Sequence, residues 1–231
     1  MTGRDLSGLT AMVLGGRGAL GRAVVARLRA DGASVVAADA RPPGDEAAAD
    51  SDSLRHVTVD VLDEGSVGAA LAALPAPMAV VNVVGGYAPP QAVTDLDIAV
   101  LRQQFELNLV SAAIVTKYAM PRLAAQGGGA LVHTSSRVAV QNGEGSFSYS
   151  VSKLGVVRLV EAAAAEGRRD EVRVNCILPS IIDTPANRAA IPDANHDLWP
   201  KPEQLAAVLS FLVSDDAALI SGAAIPVYGR V

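Results

Sequence analysis

Seven short apolar runs rich in Val, Ile and Leu alternate with Ala- and Leu-rich segments along the whole chain, and that alternation leaves few folds open. The strand candidates are Thr10–Leu14, Ser34–Ala38, His56–Asp60, Ala79–Val83, Ala130–Thr134, Val172–Ile177 and Ala224–Val227. Helical candidates are Ala19–Ala30, Glu64–Ala73, Leu96–Gln126, Ser148–Glu166 and Pro202–Val213. A strand wetted on one face alternates apolar and polar residues, whereas these runs are almost continuously apolar, as burial on both faces requires. Such strands joined through helices predict right-handed crossovers and a doubly wound α/β sheet, seven-stranded and mostly parallel, with helices on both faces. The 231 residues suit one domain spanning 1–231. Segment Arg41–Ser53, rich in Pro, Ala and acids, reads as a loop or short helix rather than a linker.

Composition narrows the function classes. A net charge of −5 without a basic block offers nucleic acid no electrostatic footprint. Met1–Ser7 lacks the apolar run of a signal peptide, and no apolar stretch reads as long enough to span a bilayer, so no membrane role is expected. Cys176 stands alone and cannot form an intrachain disulfide, which fits a reducing cytoplasm. With His56, His133 and His196 scattered, no metal site is expected, and His133 inside the fifth strand reads as structural. Aromatic residues are only 3% of the chain although half of it is hydrophobic, so the core should be built of small, closely packed side chains.

The first strand runs into Leu14-Gly15-Gly16-Arg17-Gly18-Ala19-Leu20-Gly21, and a helix follows. Glycines there let the backbone turn tightly and approach a pyrophosphate, whose charge sits on the free N–H groups of the helix start. Asp39 ends the second strand, placed to accept hydrogen bonds from an adenosine ribose and to repel a 2′-phosphate. That favours NAD over NADP, with Arg17 and Arg41 as the residues able to oppose the preference. Small or polar residues close the next strands too: Asp60 after the third, Asn82 and Gly85-Gly86 after the fourth, Ser135-Ser136 after the fifth, Pro179-Ser180 after the sixth. In a parallel sheet these carboxyl ends share one edge, where ligands bind.

Tyr149 and Lys153 lie four residues apart, one turn of a helix, and so share a face. A phenol titrates near pH ~10, too high for efficient proton exchange at neutrality, and a neighbouring ammonium would lower that value. Ser136 ends the fifth strand within reach of the same point, where its hydroxyl would hydrogen-bond a substrate oxygen as charge develops.

With these residues in place, the chain resembles the short-chain dehydrogenase/reductase superfamily over essentially its full length. The resemblance rests on Gly15 to Gly21, Asp60-Val61, Asn82-Val83-Val84-Gly85, Asn108, Ser136, Tyr149, Lys153 and the run Arg173 to Pro185. It implies a Rossmann fold and a hydride-transferring enzyme using NAD(P) on a carbonyl/alcohol substrate. Tyr149 would be the general acid/base, Lys153 would also bind the nicotinamide ribose, and Asn108 would hold the water linking Lys153 to solvent. Ile182 and Thr184 would contact the nicotinamide carboxamide beside Pro179, while Asp60 and Val61 would border the adenine. The family's habit of packing its two long helices between subunits implies a homodimer or homotetramer. Departures fall at Leu14, Ala19, Val83, Val84 and Ser180, where many members carry other residues.

A narrower likeness is to dihydropteridine reductases, through Gly-Gly-Arg-Gly-Ala-Leu-Gly and Asp183 to Arg188, although that branch typically does without the serine at 136. A quinonoid pterin therefore ranks below a carbonyl/alcohol pair. The same fold also serves epimerases, dehydratases and nucleotide sensors that have lost the reaction. A sensor has no need of Ser136, Tyr149 and Lys153 together. Trp199 and His196, in the segment after Pro185, are candidates to touch substrate, as are Arg137, Glu144, Phe147, Asn187 and Arg188.

Overall fold

The computed structural model describes residues 4–42, 50–141 and 143–231. Its seven strands are β1 (Thr10–Leu14), β2 (Ser34–Asp39), β3 (Leu54–Thr58), β4 (Met78–Asn82), β5 (Gly129–Thr134), β6 (Val172–Pro179) and β7 (Ala224–Val227). They form one sheet in the order β3-β2-β1-β4-β5-β6-β7, with every pairing parallel. The helices are α1 (Ala19–Ala30), α2 (Glu64–Ala72), α3 (Ile98–Phe105), α4 (Ser111–Ala125), α5 (Phe147–Gly167), α6 (Pro185–Ala190) and α7 (Pro202–Val213).

β1 lies between β2 and β4, and all five of its residues are buried. Its side chains divide between two cores by strict alternation: Met12 and Leu14 join one, Ala11 and Val13 the other. The first core packs Val67 and Leu71 of α2, Val115 and Leu123 of α4, and Val157 and Val160 of α5 against the sheet. The second packs Val24 and Leu28 of α1 with Leu205 and Leu209 of α7. Truncating a fully buried Leu such as Leu209 to Ala would cost about 2–5 kcal/mol, because the close-packed surroundings relax only partly. Between β3 and β4 the chain crosses from the outer edge to the far side of β1. Helices leave opposite faces at that reversal, and a crevice opens at the carboxyl ends of β1 and β4.

Several boundaries depart from the sequence expectations, most by a single residue. β3 begins two residues early, since Leu54 is buried in the second core, and ends at Thr58. β2 and β6 run on to Asp39 and Pro179. The expected single helix Leu96–Gln126 is divided by a π turn at Glu106–Val110. There the Ser111 N–H reaches back five residues to the Glu106 carbonyl, and the Ser111 hydroxyl donates to the Leu107 carbonyl at 2.6 Å. By length and composition the run Ile98–Ala125 is apolar and long enough to cross a membrane, contrary to the sequence expectation. Its buried residues pack on the sheet and on α5, which accounts for their apolar character. Most of the Arg41–Ser53 expectation, residues 43–49, lies outside the described residues.

Candidate active site

The crevice begins at the glycine turn between β1 and α1. A Cβ on Gly21 would sit 2.0 Å from the Gly15 carbonyl oxygen, so only glycine lets α1 start this close to the turn. Gly18 caps the helix, its own N–H donating to Gly15 O at 3.0 Å, and Ala19 and Leu20 form the first turn with their amides toward the loop. Asp39 closes the crevice wall: its carboxylate accepts the backbone N–H of Arg17 at 3.3 Å and of Arg41 at 3.5 Å. Neither guanidinium is the donor. The Arg17 guanidinium is buried at all three nitrogens without a hydrogen-bond partner among the described residues. A buried cation left unpaired is costly. The glycine cradle and this cation therefore fit the phosphate-bearing dinucleotide expected from sequence.

The other expected cofactor residues fall along the same edge. Asp60 follows β3, exposed, and its carboxylate accepts the Leu62 N–H at 2.9 Å. Val61 turns into the first core rather than lying open. Asn82 is buried at the end of β4, accepting the Val84 N–H and pairing with His133 Nδ1 at 3.2 Å. The other ring nitrogen of His133 pairs with Thr116 Oγ1, whose hydroxyl donates to Ala112 O. That hydroxyl is thus an acceptor toward the ring, which fixes the proton of His133 on Nε2. Burial depresses the His133 pKa to about 3, so the ring is neutral and structural. Pro179 ends β6, Ile182 packs on the second core, and Thr184 caps α6 by accepting the Asn187 N–H at 3.2 Å.

The expected acid–base residues converge where β4, β5 and α5 meet. Lys153 is 3% exposed and donates from Nζ to the Thr134 carbonyl at 3.0 Å. Beside it stand Gly85 and Asn108: a Cβ on Gly85 would lie 2.6 Å from Lys153 Nζ and 2.8 Å from Asn108 Oδ1. Asn108 sits in the π turn, 1% exposed. Its Oδ1 accepts the Gly86 N–H at 3.0 Å, and its Nδ2 faces Gly86 O, Gln104 Oε1 and Ser152 Oγ at 3.0–3.1 Å. Lys153 Nζ is 6.0 Å from the centroid of the Tyr149 ring. Ser136 is buried, and its hydroxyl lies near enough to the Tyr149 phenol to pull that group's pKa down.

One electrostatic expectation is reversed. The Tyr149 pKa is raised, first by burial and further by Tyr87, while the Ser136 hydroxyl opposes the rise. The expected lowering by Lys153 is not what this geometry produces. Burial penalises the phenolate, and it also drives the Lys153 pKa down to about 8. The ammonium is therefore the more readily deprotonated of the two.

The segment after β6 is braced rather than open. Arg188 grips the Asp183 carboxylate at 2.5 and 2.8 Å, and Asn187 Nδ2 donates to Ile182 O. Trp199 is buried and stacks on His196 with ring centroids 4.6 Å apart. Both rings thus hold the segment's shape. Arg137 donates to Val231 O at 3.1 Å, with its guanidinium 5.7 Å from the centroid of the Tyr228 ring. A concavity of about 850 Å³ lies at the opposite, amino-terminal edge, lined by Gly127, Glu161, Arg168 and Arg173 among others. None of the residues expected to handle protons lines it.

Two residues escaped the sequence reading. Gln104 is a buried amide one helical turn before Asn108, and that spacing was the available signal. Tyr87 stands edge-on to Tyr149, with ring centroids 5.1 Å apart and planes at 85°.

Comparisons with known proteins agree with this geometry. A family profile described as Enoyl-(Acyl carrier protein) reductase matches residues 16–229. Cis-4-hydroxycyclohexanecarboxylate dehydrogenase of Sinomonas cyclohexanicum is 32% identical, covering 95% of this chain and 94% of its own. D-threitol dehydrogenase of Mycolicibacterium smegmatis is 30% identical, covering 97% and 93%. A solved short-chain type dehydrogenase/reductase from Mycobacterium ulcerans superposes with a TM-score of 0.88 at 28% identity, covering 98% of this chain and 90% of that one.

Proposed function

The chain belongs to the short-chain dehydrogenase/reductase superfamily and is a nicotinamide-dependent oxidoreductase of small molecules; within that class we propose that it is a cytoplasmic, NAD-preferring carbonyl reductase/alcohol dehydrogenase with Tyr149 as its general acid/base. The observation that carries the reading is the Tyr149 phenol beside the buried Ser136, one helical turn from a buried Lys153 whose Nζ lies 6.0 Å from the ring centroid.

The nicotinamide supplies or accepts the hydride when bound. The side chains do the rest. Ser136 Oγ and Tyr149 Oη hold the substrate oxygen, and Tyr149 gives it a proton as negative charge develops there. A raised pKa keeps Tyr149 protonated at neutrality, the form that reduction needs. Lys153, poised at about 8, replaces that proton, and Asn108 holds Lys153's surroundings in place through Gly86, Gln104 and Ser152. Reduction is then expected to slow as pH rises through about 8, because Lys153 loses its proton there. Arg17, with Gly15, Gly18 and Gly21, holds the phosphates. Asp39 takes the adenosine ribose, and Lys153 the nicotinamide ribose.

Ser136 favours a carbonyl or alcohol over a quinonoid pterin, whose reductases typically do without that serine. The relatives' names, which give hydroxyl-bearing substrates, support the same choice. Assembly through α4 and α5 into a homodimer or homotetramer is part of the proposal, and light scattering that gives a monomer mass at micromolar concentration would remove it. The function itself is tested by following NADH and NADPH oxidation across a ketone and aldehyde library. Faster turnover with NADH, falling above about pH 8, is expected; no oxidation of either cofactor with any carbonyl would overturn the reading.

A further inference from the structure

Among the described residues, large apolar side chains are exposed mostly around the carboxyl edge, and one of them touches the proposed acid. Tyr87 is 59% exposed, yet its ring lies perpendicular to the Tyr149 ring, with centroids 5.1 Å apart. Val140 and Phe147, on the loop and helix start that lead to Tyr149, and Ile191 beyond α6 are exposed as well. An apolar surface of this kind beside a polar reacting group is the usual composition of a substrate wall.

Tyr87 is also held rigidly, which separates it from an ordinary loop aromatic. On its amino side, Gly86 is clamped at both its N–H and its carbonyl by the Asn108 amide. On its carboxyl side, the Gln91 N–H donates to the Gly145 carbonyl at 2.9 Å. Gly145 has φ +73, and a Cβ there would lie 2.7 Å from Pro90 Cβ, so the glycine lets the two loops meet. The four residues between the clamps, 87–90, include two prolines, which restrict the backbone further. The backbone that carries the ring is held in place before any substrate arrives, and such a platform binds without paying loop-ordering entropy.

We propose that Tyr87 is a specificity-determining residue: its exposed ring is the platform on which an alicyclic or aromatic ring of the substrate lies while its carbonyl oxygen is presented to Tyr149. The perpendicular contact with Tyr149 leaves Tyr87 59% exposed, and flat or puckered rings gain both apolar burial and ring–ring or C–H to ring contact on that open part of the ring. An open-chain ketone of equal carbon number covers less of that face and loses more torsional freedom on it. The inference rests on the proposed carbonyl chemistry at Tyr149 and names its substrate class.

The test uses the NADH-loaded protein with cyclohexanone and 2-hexanone as probes, read by steady-state kinetics and by ligand-observed saturation-transfer NMR. Cyclohexanone should be the better substrate by about tenfold in kcat/KM, the weight of one aromatic contact. Tyr87→Ala should lower the cyclohexanone-to-2-hexanone ratio of kcat/KM about tenfold, whatever it does to both ketones in common, and Tyr87→Phe should keep the preference, since the ring and not the hydroxyl carries it. Tyr149→Phe should lose turnover yet retain the cyclohexanone NMR signal, which Tyr87→Ala should lose. Equal effects of Tyr87→Ala on both ketones, or none on either, would overturn the platform while the oxidoreductase reading stands. Cyclohexanone that binds through Tyr87 but is not turned over by the parent protein would overturn the acid–base reading and support the platform. No binding of cyclohexanone to the parent protein overturns the platform outright.

Discussion

The two edges of the sheet use the same kinds of side chain in opposite ways. At the amino edge, long polar side chains are engaged with backbone. Gln126 satisfies both Met78 N and Met78 O, and Arg173 donates to Leu212 O and Ser214 O at the end of α7. At the carboxyl edge, Lys153 and Asn108 also bond backbone, at Thr134 O and at Gly86 N and O, but they stand beside Ser136 and Tyr149 where the crevice opens. One edge closes the chain's own hydrogen bonds. The other holds buried polar groups whose pKa values are displaced, an arrangement that costs stability and makes proton transfer feasible. The edges should therefore respond oppositely to substitution.

The largest expected effect is at Lys153. Lys153→Met should cut turnover at least a hundredfold, about the lower bound for losing general acid–base support, and yet stabilise the fold at neutral pH. The folded pKa lies near 8 against an ordinary 10.5. The folded state therefore binds fewer protons than the unfolded one between those values, so stability rises with pH across that window and the cost is full below it. Chemical denaturation at pH 7 and pH 10 checks this: the parent should gain stability between them from this group, and Lys153→Met should lack that gain.

Arg173→Ala supplies the contrast. It should cost about 2–3 kcal/mol, the weight of hydrogen bonds from a charged donor to carbonyls, while kcat stays within twofold. A comparable loss of turnover at matched folded fraction would break the division between edges.

Asp39→Ala should sharpen it from within the carboxyl edge, by weakening NADH about tenfold and narrowing the gap to NADPH, as expected for losing a charge-assisted hydrogen bond to a ribose. Calorimetric titration of both cofactors decides, and tighter NADPH binding to the parent protein would show that Arg17 and Arg41 dominate.

A last effect, read in stability alone, concerns His133. Its folded pKa, about 3, lies below the ordinary 6.5. Its contribution is full above pH 6.5 and lost as pH falls toward 3, because the unfolded ring takes up a proton that the folded one refuses. His133→Asn should flatten the parent's loss of stability between pH 6 and pH 4, a comparison made by urea denaturation.

What the sequence disclosed follows the same division. Strands were legible because burial on both faces leaves an apolar run that ends in a polar or small residue, as at Leu14-Gly15 and Val81-Asn82. Spacing also placed Tyr149 beside Lys153. It did not disclose the π turn at Glu106–Val110, whose extra residue leaves the apolar pattern of Ile98–Ala125 nearly unchanged. Nor did it give the sign of the Tyr149 shift, which depends on three-dimensional burial. Gln104 and Tyr87 acquire their roles only when α3 and the loop after β4 are brought against Asn108 and Tyr149.

The most direct test of the proposed chemistry is Tyr149→Phe, which removes one hydroxyl and leaves the ring against Tyr87. Steady-state reduction by the variant, paired with NADH titration and a denaturation curve, should show turnover lower by about two to four orders of magnitude. Cofactor affinity and stability should be nearly unchanged. Near-normal turnover with intact NADH binding would contradict the role given to Tyr149, and would leave the buried Ser136, Lys153 and Asn108 around an idle tyrosine.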